Sequence, residues 1–249
     1  MDAIKQFFKE DEFDVGFIED DEYGYIKRKN EDNYPMTFHF ENNSIHLDLQ
    51  ISGEIGSGLL NKMEEAVKTV ASIKYIRLID GAHYEKFGSI NYFTDLSLLH
   101  ILTTGESWYN SLGYKSINYE SEIQHNKKKL EMPCEYFFRD VFGKSLKNYI
   151  LITKSEIKKK KLIIKNPEEH IDEIRKQYRD DWNKIFEPVN PETKFRGKTV
   201  RDFFIQLWQE TKDVCEKFPT LRKILDYVNK SNLIEYNGTL EKKNLSHES

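Results

Sequence analysis

The chain is poor in what would define a specialised class. Among its 249 residues there are two cysteines, six prolines and twelve glycines. So little Pro and Gly excludes collagen-like, elastic and low-complexity chains. Cys134 and Cys215 are far apart and form neither a disulfide framework nor a CxxC zinc pattern. That usage fits a reducing, intracellular compartment. Neither charge sign dominates: the net charge is −4 and the pI is near 6.0, which disfavours a strongly basic nucleic-acid binder. No window approaches 18 consecutive apolar residues, so no membrane helix is expected. The start, Met1 to Asp14, has no basic stretch followed by an apolar one, and no signal peptide is expected there.

Aromatic residues, by contrast, are plentiful. With 14 Tyr, 16 Phe and 3 Trp, the chain as a whole is not disordered, although its mean hydropathy is −0.71. The length suits one large domain or two small ones.

Residues 1–9 carry Ile4, Phe7 and Phe8 on one side of a short helix. Phe13, Val15 and Phe17 alternate as a strand does, and Tyr23, Tyr25 and Ile26 suggest its hairpin partner. Met36–Phe40 and Ser44–Ile51 read as two strands around the turn Glu41-Asn42-Asn43. The clearest helix carries Leu59, Leu60, Met63, Ala66, Val67 and Val70, opening from a glycine-rich turn at Gly53–Gly58. Tyr75–Asp80 follows as an apolar strand, expected to be covered on both faces. Strand, turn, helix and strand make a βαβ pattern.

Leu96–Leu102 is helical. Ser107 can cap a short helix that Gly113 stops. Beyond residue 120 the chain becomes charged and mostly helical. One helix opens at Pro167-Glu168-Glu169 and presents Ile171, Ile174, Tyr178 and Trp182. Another starts near Thr199 and carries Phe203, Phe204, Leu207, Trp208 and Cys215; Pro219 restarts it. Residues 1–118, 119–236 and 237–249 thus read as an α/β domain, a helical region and a flexible tail.

Three parts of the pattern could carry chemistry. The turn at Gly53–Gly58 can offer backbone N–H groups to a phosphate, or serve as a plain strand-to-helix connection. On the preceding strand, His46, Asp48 and Gln50 share a polar face opposite Ile45, Leu47, Leu49 and Ile51. Finally, Trp108-Tyr109-Asn110-Ser111-Leu112-Gly113-Tyr114 is a compact aromatic segment.

In this order, the parts resemble the GNAT superfamily of N-acetyltransferases. There a strand leads into a pyrophosphate loop of the form Arg/Gln-x-x-Gly-x-Gly/Ala, then a helix, a second strand and an aromatic-Tyr-x-x-Leu-Gly-Phe segment. The resemblance spans roughly residues 13–118 and implies a mixed central sheet flanked by helices. It also implies acetyl-CoA as acyl donor and an amine acceptor, on a protein or small molecule. Two frames can be laid on the loop, each matching the pattern in part. One uses Ile51, Glu54, Gly56, Ser57 and Gly58; the other uses Gln50, Gly53 and Ile55. By the same resemblance Tyr109 would protonate the departing thiolate. His46, Asp48 and Asp80 are candidates for a general base by placement. Residues 102–116 and 199–204 also look like segments of GNAT-like proteins from large DNA viruses. The alternative is a GNAT-like fold without catalysis that serves as a protein-interaction module.

Lys158–Lys161, with Lys165 beyond, form the densest basic run, which reads as a solvated face or a nucleic-acid contact. Leu162–Ile164 beside it look like a strand. His39, His83, His100, His125 and His170 show no HExxH or similar ligand spacing, so no metal site is expected.

Overall fold

The computed structural model describes residues 2–8, 13–18, 23–29, 34–49, 53–79, 83–84, 94–159, 166–191, 193–212, 214, 217–236 and 238–243. The chain is a mixed α/β protein that divides into two compact units. Unit 1 comprises Met1–Tyr84, Trp108–Tyr119 and Asn237–Ser249; unit 2 comprises Glu85–Ser107 and Glu120–Tyr236. No helix of the described residues is long and apolar enough to cross a membrane.

Unit 1 opens with helix α1 (Asp2–Phe8), which buries Ile4 and Phe8. Strands β1 (Phe13–Ile18), β2 (Tyr23–Arg28), β3 (Met36–Glu41) and β4 (Ser44–Leu49) form an antiparallel meander. Helix α2 (Gly53–Lys68) crosses to β5 (Tyr75–Ile79), which runs parallel to β4. Two-residue strands follow at β6 (His83–Tyr84) in this unit and β7 (Thr94–Asp95) in unit 2.

One face of the sheet is apolar. Ile26, Met36, Phe38, Ile45, Leu47, Ile76 and Leu78 meet Leu59, Leu60, Met63, Ala66 and Val67 of α2 in a single buried core. The helix stripe and the strand alternation expected from the sequence therefore face each other. The β3–β4 hairpin is tight: Glu41 pairs with Ser44 around Asn42 and Asn43. Asn42 holds a left-handed φ of +53°, which Asn tolerates better than most residues. The Asn43 carbonyl accepts from the N–H groups of Lys74 and Tyr75 and so ties this turn to the start of β5.

Two glycines make room for rings. A Cβ on Gly24 would lie 2.2 Å from Cζ of Phe38, and one on Gly16 would lie 2.1 Å from Cζ of Tyr25. Phe38 is buried and cannot swing aside, whereas Tyr25 is half-buried. Gly24→Ala will therefore cost about 1–3 kcal/mol by overpacking, and Gly16→Ala less. Urea unfolding of the two variants measures the difference; equal losses would contradict the role given to Phe38.

The last strand, β8 (Thr239–Lys243), pairs antiparallel with β5 and completes the order β1-β2-β3-β4-β5-β8. The segment expected to be a flexible tail from residue 237 thus supplies an edge strand, held by ladder hydrogen bonds that its polar sequence does not advertise. The expected covering of β5 on both faces also fails. Its burial alternates, and Ile79 is 68% exposed. Tyr75, Arg77 and Ile79 lie on the face of the sheet away from α2.

Unit 2 gathers α3 (Leu96–Thr104), α5 (Tyr119–Leu130, of which Tyr119 belongs to unit 1), α6 (Cys134–Lys159), α7 (Pro167–Phe186), α8 (Val200–Thr211) and α9 (Phe218–Ser231). The short α4 (Trp108–Ser111) between α3 and α5 belongs to unit 1. Residues 85–107 accordingly belong with the helical unit, not with the α/β domain as the boundary at 118 supposed. The reason is packing: Leu98, Leu99 and Leu102 of α3 join the core of Phe137, Phe138, Phe203 and Leu207.

Helix ends follow their sequence signals. Asp95 caps α3 through the N–H of Leu98 at 2.8 Å, and Gly105 closes it with φ +100°. Thr199 and Asp202 form a capping box at α8. Asn126 is buried and acts as a surrogate strand, donating to the Glu235 carbonyl at 2.7 Å and accepting from its N–H at 2.9 Å. Lys158 and Lys159 end α6. Lys160, Lys161, Lys165, Leu162–Ile164 and Cys215 lie outside the described residues.

Candidate functional site

The β4–α2–β5 crossover positions most of the residues singled out in the sequence. β4 pairs with β5 from Ser44–Tyr75 to Leu47–Leu78, and β4 then continues to Leu49. Asp48 lies in this continuing part, exposed on the polar face and opposite Thr37 of β3. His46 shares that face, while Ile45 and Leu47 point into the core. Gln50, Ile51 and Asp80 lie outside the described residues.

The glycine-rich segment is not a turn. α2 already begins at Gly53, so Gly53, Ile55, Gly56, Ser57 and Gly58 all belong to its first two turns. The apolar stripe from Leu59 onward rewards each added helical turn, and three glycines at about 1 kcal/mol each do not outweigh it. Gly56 is buried and Ser57 half-buried. Gly58 is exposed, and a Cβ there would meet nothing within 4 Å. The first four N–H groups of a helix have no intrahelical partner, and such ends attract anions; Gly58, the sixth residue of α2, lies beyond them.

Tyr109 stands in α4 with its side chain 2% exposed. Its ring meets Trp108 edge-on at 4.8 Å and Tyr114 at 6.4 Å. Its carbonyl accepts from the N–H groups of Leu112 and Tyr114, which folds the segment around Gly113 at φ +91°. The aromatic motif therefore lies in the core of unit 1.

Behind it sits a buried polar network with no sequence signature. The Tyr114 hydroxyl donates to Glu64 Oε1 at 2.7 Å. Lys242 Nζ donates to Glu64 Oε2 at 2.7 Å and to the Leu112 carbonyl at 3.0 Å. Burial first, and then the Glu64 charge, push the Tyr114 hydroxyl far above the ordinary tyrosine pKa. One carboxylate on α2 thereby joins β8 to the segment after α4.

The second cluster lies on the open face of the sheet. Tyr23, His39, His46, Arg77 and Glu241 occupy matching register positions on β2, β3, β4, β5 and β8. The Tyr23 and His39 rings are 5.3 Å apart, and His39 stacks on His46 at 4.5 Å and 20°. Glu41, two residues along β3 from His39, brings Oε2 to 2.8 Å from His46 Nε2. Arg77 Nε donates to Glu241 Oε2 at 2.7 Å, with Nη1 3.9 Å from Glu41 Oε2. Burial, and after it the neighbouring His39, hold the His46 pKa below the ordinary imidazole value, with Glu41 pulling upward. At neutral pH the His46–Glu41 contact is thus an N–H···O hydrogen bond. The histidine spacing was silent on this cluster because only the hairpin register makes residues 39 and 46 neighbours.

A further concavity of about 730 Å³ lies in unit 2, lined among others by Arg139, Phe142, Arg179, Trp182 and Lys184. No family model matches the chain, and neither a curated protein nor a solved structure matches it.

Proposed function

We propose that unit 1 is an N-acyltransferase domain of the GNAT type, which takes acetyl-CoA at the carboxyl ends of β4 and β5 and acetylates an amine. The observation that carries this reading is the crossover itself. Two parallel strands are joined by a helix, and their pairing stops at Leu47–Leu78 while β4 runs on to Leu49. Open α/β sheets take ligands at such carboxyl ends. α2 follows β4 and starts at Gly53, and helix N-termini attract phosphate groups such as the pyrophosphate of the cofactor.

Acetyl-CoA supplies an activated thioester carbonyl. Asp48 would hold and deprotonate the acceptor amine as it attacks, so the amine proton leaves to the carboxylate. Backbone N–H groups at the end of β4 would polarise the carbonyl oxygen. The Tyr109 hydroxyl would return a proton to the sulfur as the carbon–sulfur bond breaks.

Thermal unfolding with and without acetyl-CoA tests the reading. At 100 times its dissociation constant a ligand adds about 2.7 kcal/mol of stability, or about 5–11 °C for a chain of this size. A shift of that kind, together with turnover that Tyr109→Phe lowers, supports catalysis. No shift at millimolar acetyl-CoA removes it and favours the second reading, a non-catalytic interaction module. The burial of Tyr109 is what favours that second reading.

A further inference from the structure

We propose that His39, Glu41 and His46 form a binding site for a borderline divalent transition-metal cation of the zinc type, at the β3–β4 hairpin. Among the described residues they are a group of three whose ligand atoms all lie within 4.8 Å of one another. Two imidazoles and one carboxylate are a donor set such ions accept, and three protein ligands leave the fourth position to water.

The geometry is close to what an ion requires. With Zn–N bonds of about 2.0–2.1 Å, a tetrahedral ion holds its donors about 3.3 Å apart. Closing the remaining distance turns the two half-buried rings out of their 20° stack so that their nitrogens converge, and the exposed Glu41 carboxylate follows. The rings are already held side by side, since His39 and His46 are directly paired across the ladder and Tyr23 lies beyond His39. The tight hairpin fixes Glu41 next to them, with its carboxylate already on His46 Nε2. On binding, the metal replaces the proton on Nε2, and the neutral imidazole carries its proton on Nδ1.

The local charge is favourable as well. Arg77 Nη1 lies 3.9 Å from Glu41 Oε2, but Glu241 holds its Nε at 2.7 Å. Two carboxylates thus face one guanidinium before a dication arrives. The site lies on the same face of β4 as Asp48, with His46 two residues before it, and does not depend on the acyl transfer proposed above.

The test is a Zn²⁺ titration of the full-length, tag-free protein in competition with a chromogenic chelator. One equivalent should bind. His39→Ala and His46→Ala should each weaken binding by more than about tenfold, the scale already seen for loss of outer-sphere partners. His125→Ala and His170→Ala should leave it unchanged. Histidine ring NMR signals of the parent protein give a readout that needs no variant: Zn²⁺ should move those of His39 and His46. The proposal is overturned if the parent binds no more tightly than the His39→Ala/His46→Ala double variant. It is equally overturned if Zn²⁺ moves only the rings of other histidines.

Discussion

Replacing Glu64 with alanine will lower the stability of unit 1 by about 3 kcal/mol. Glu64 is 8% exposed and accepts from both Tyr114 and Lys242. Its removal leaves a buried hydroxyl and a largely buried ammonium without their acceptor, and each loss carries a desolvation cost. Lys242 keeps its contact with the Leu112 carbonyl and lies 5.2 Å from the centre of the Tyr114 ring, which limits the loss. The melting transition should fall by about 6–12 °C. A triple variant, Glu64→Leu with Lys242→Met and Tyr114→Phe, should recover much of it, because the carboxylate, hydroxyl and ammonium go together and the cost left is the Lys242 hydrogen bond to the Leu112 carbonyl. A Glu64→Ala protein that melts with the parent would show that the network holds nothing together.

Stability should also fall steeply in alkali. Burial, as first cause, raises the pKa of Tyr114, Tyr178 and Cys134 well above their ordinary values and pushes Tyr227 up to about 12. A raised acid keeps its proton in the folded chain while the unfolded chain releases it. The unfolded state then binds fewer protons, so stability is whole below the ordinary pKa and is lost as pH rises beyond it. Each such group contributes about 1.4 kcal/mol per pH unit in that window. The two fully buried ones, Cys134 and Tyr114, set the onset, near pH 9 and pH 10 respectively. Urea unfolding from pH 8 to 11 should show the decline, and Tyr114→Phe should make it shallower above pH 10. A flat profile would contradict the burial of these groups.

The shape of the open face has a consequence for the site. A face carrying Tyr23, His39, His46 and Arg77 in one row owes nothing to any single strand. Each strand contributes one residue, and the pairing assembles them. The same holds for Glu64. In α2 it reads as one more solvent-facing acid, and only β8 and the turn after α4 bring it partners.

What the sequence determined by itself is the local structure. Alternation and short apolar runs between turn residues placed β1 to β4, a near-continuous apolar run placed β5, and three- and four-residue apolar spacing placed α2, α7 and α8. Ser107, Gly113, Pro167 and Thr199 marked helix ends, because these signals act through neighbours a few residues away. The polar face of β4 was legible for the same reason. Tertiary structure alone decided the rest. Residues 239–243, with Leu240 as their one buried apolar side chain, became a strand because the edge of β5 offered a ladder. Residues 96–104 joined the helical unit because their leucines found its core. The glycines at 53–58 became helix because the stripe behind them is long enough to override their preference for turns. The histidine pair and the Glu64 network depend on register and on contacts across 50 and 178 residues of chain. No spacing rule reaches that far, since burial and pairing there are properties of the folded chain as a whole.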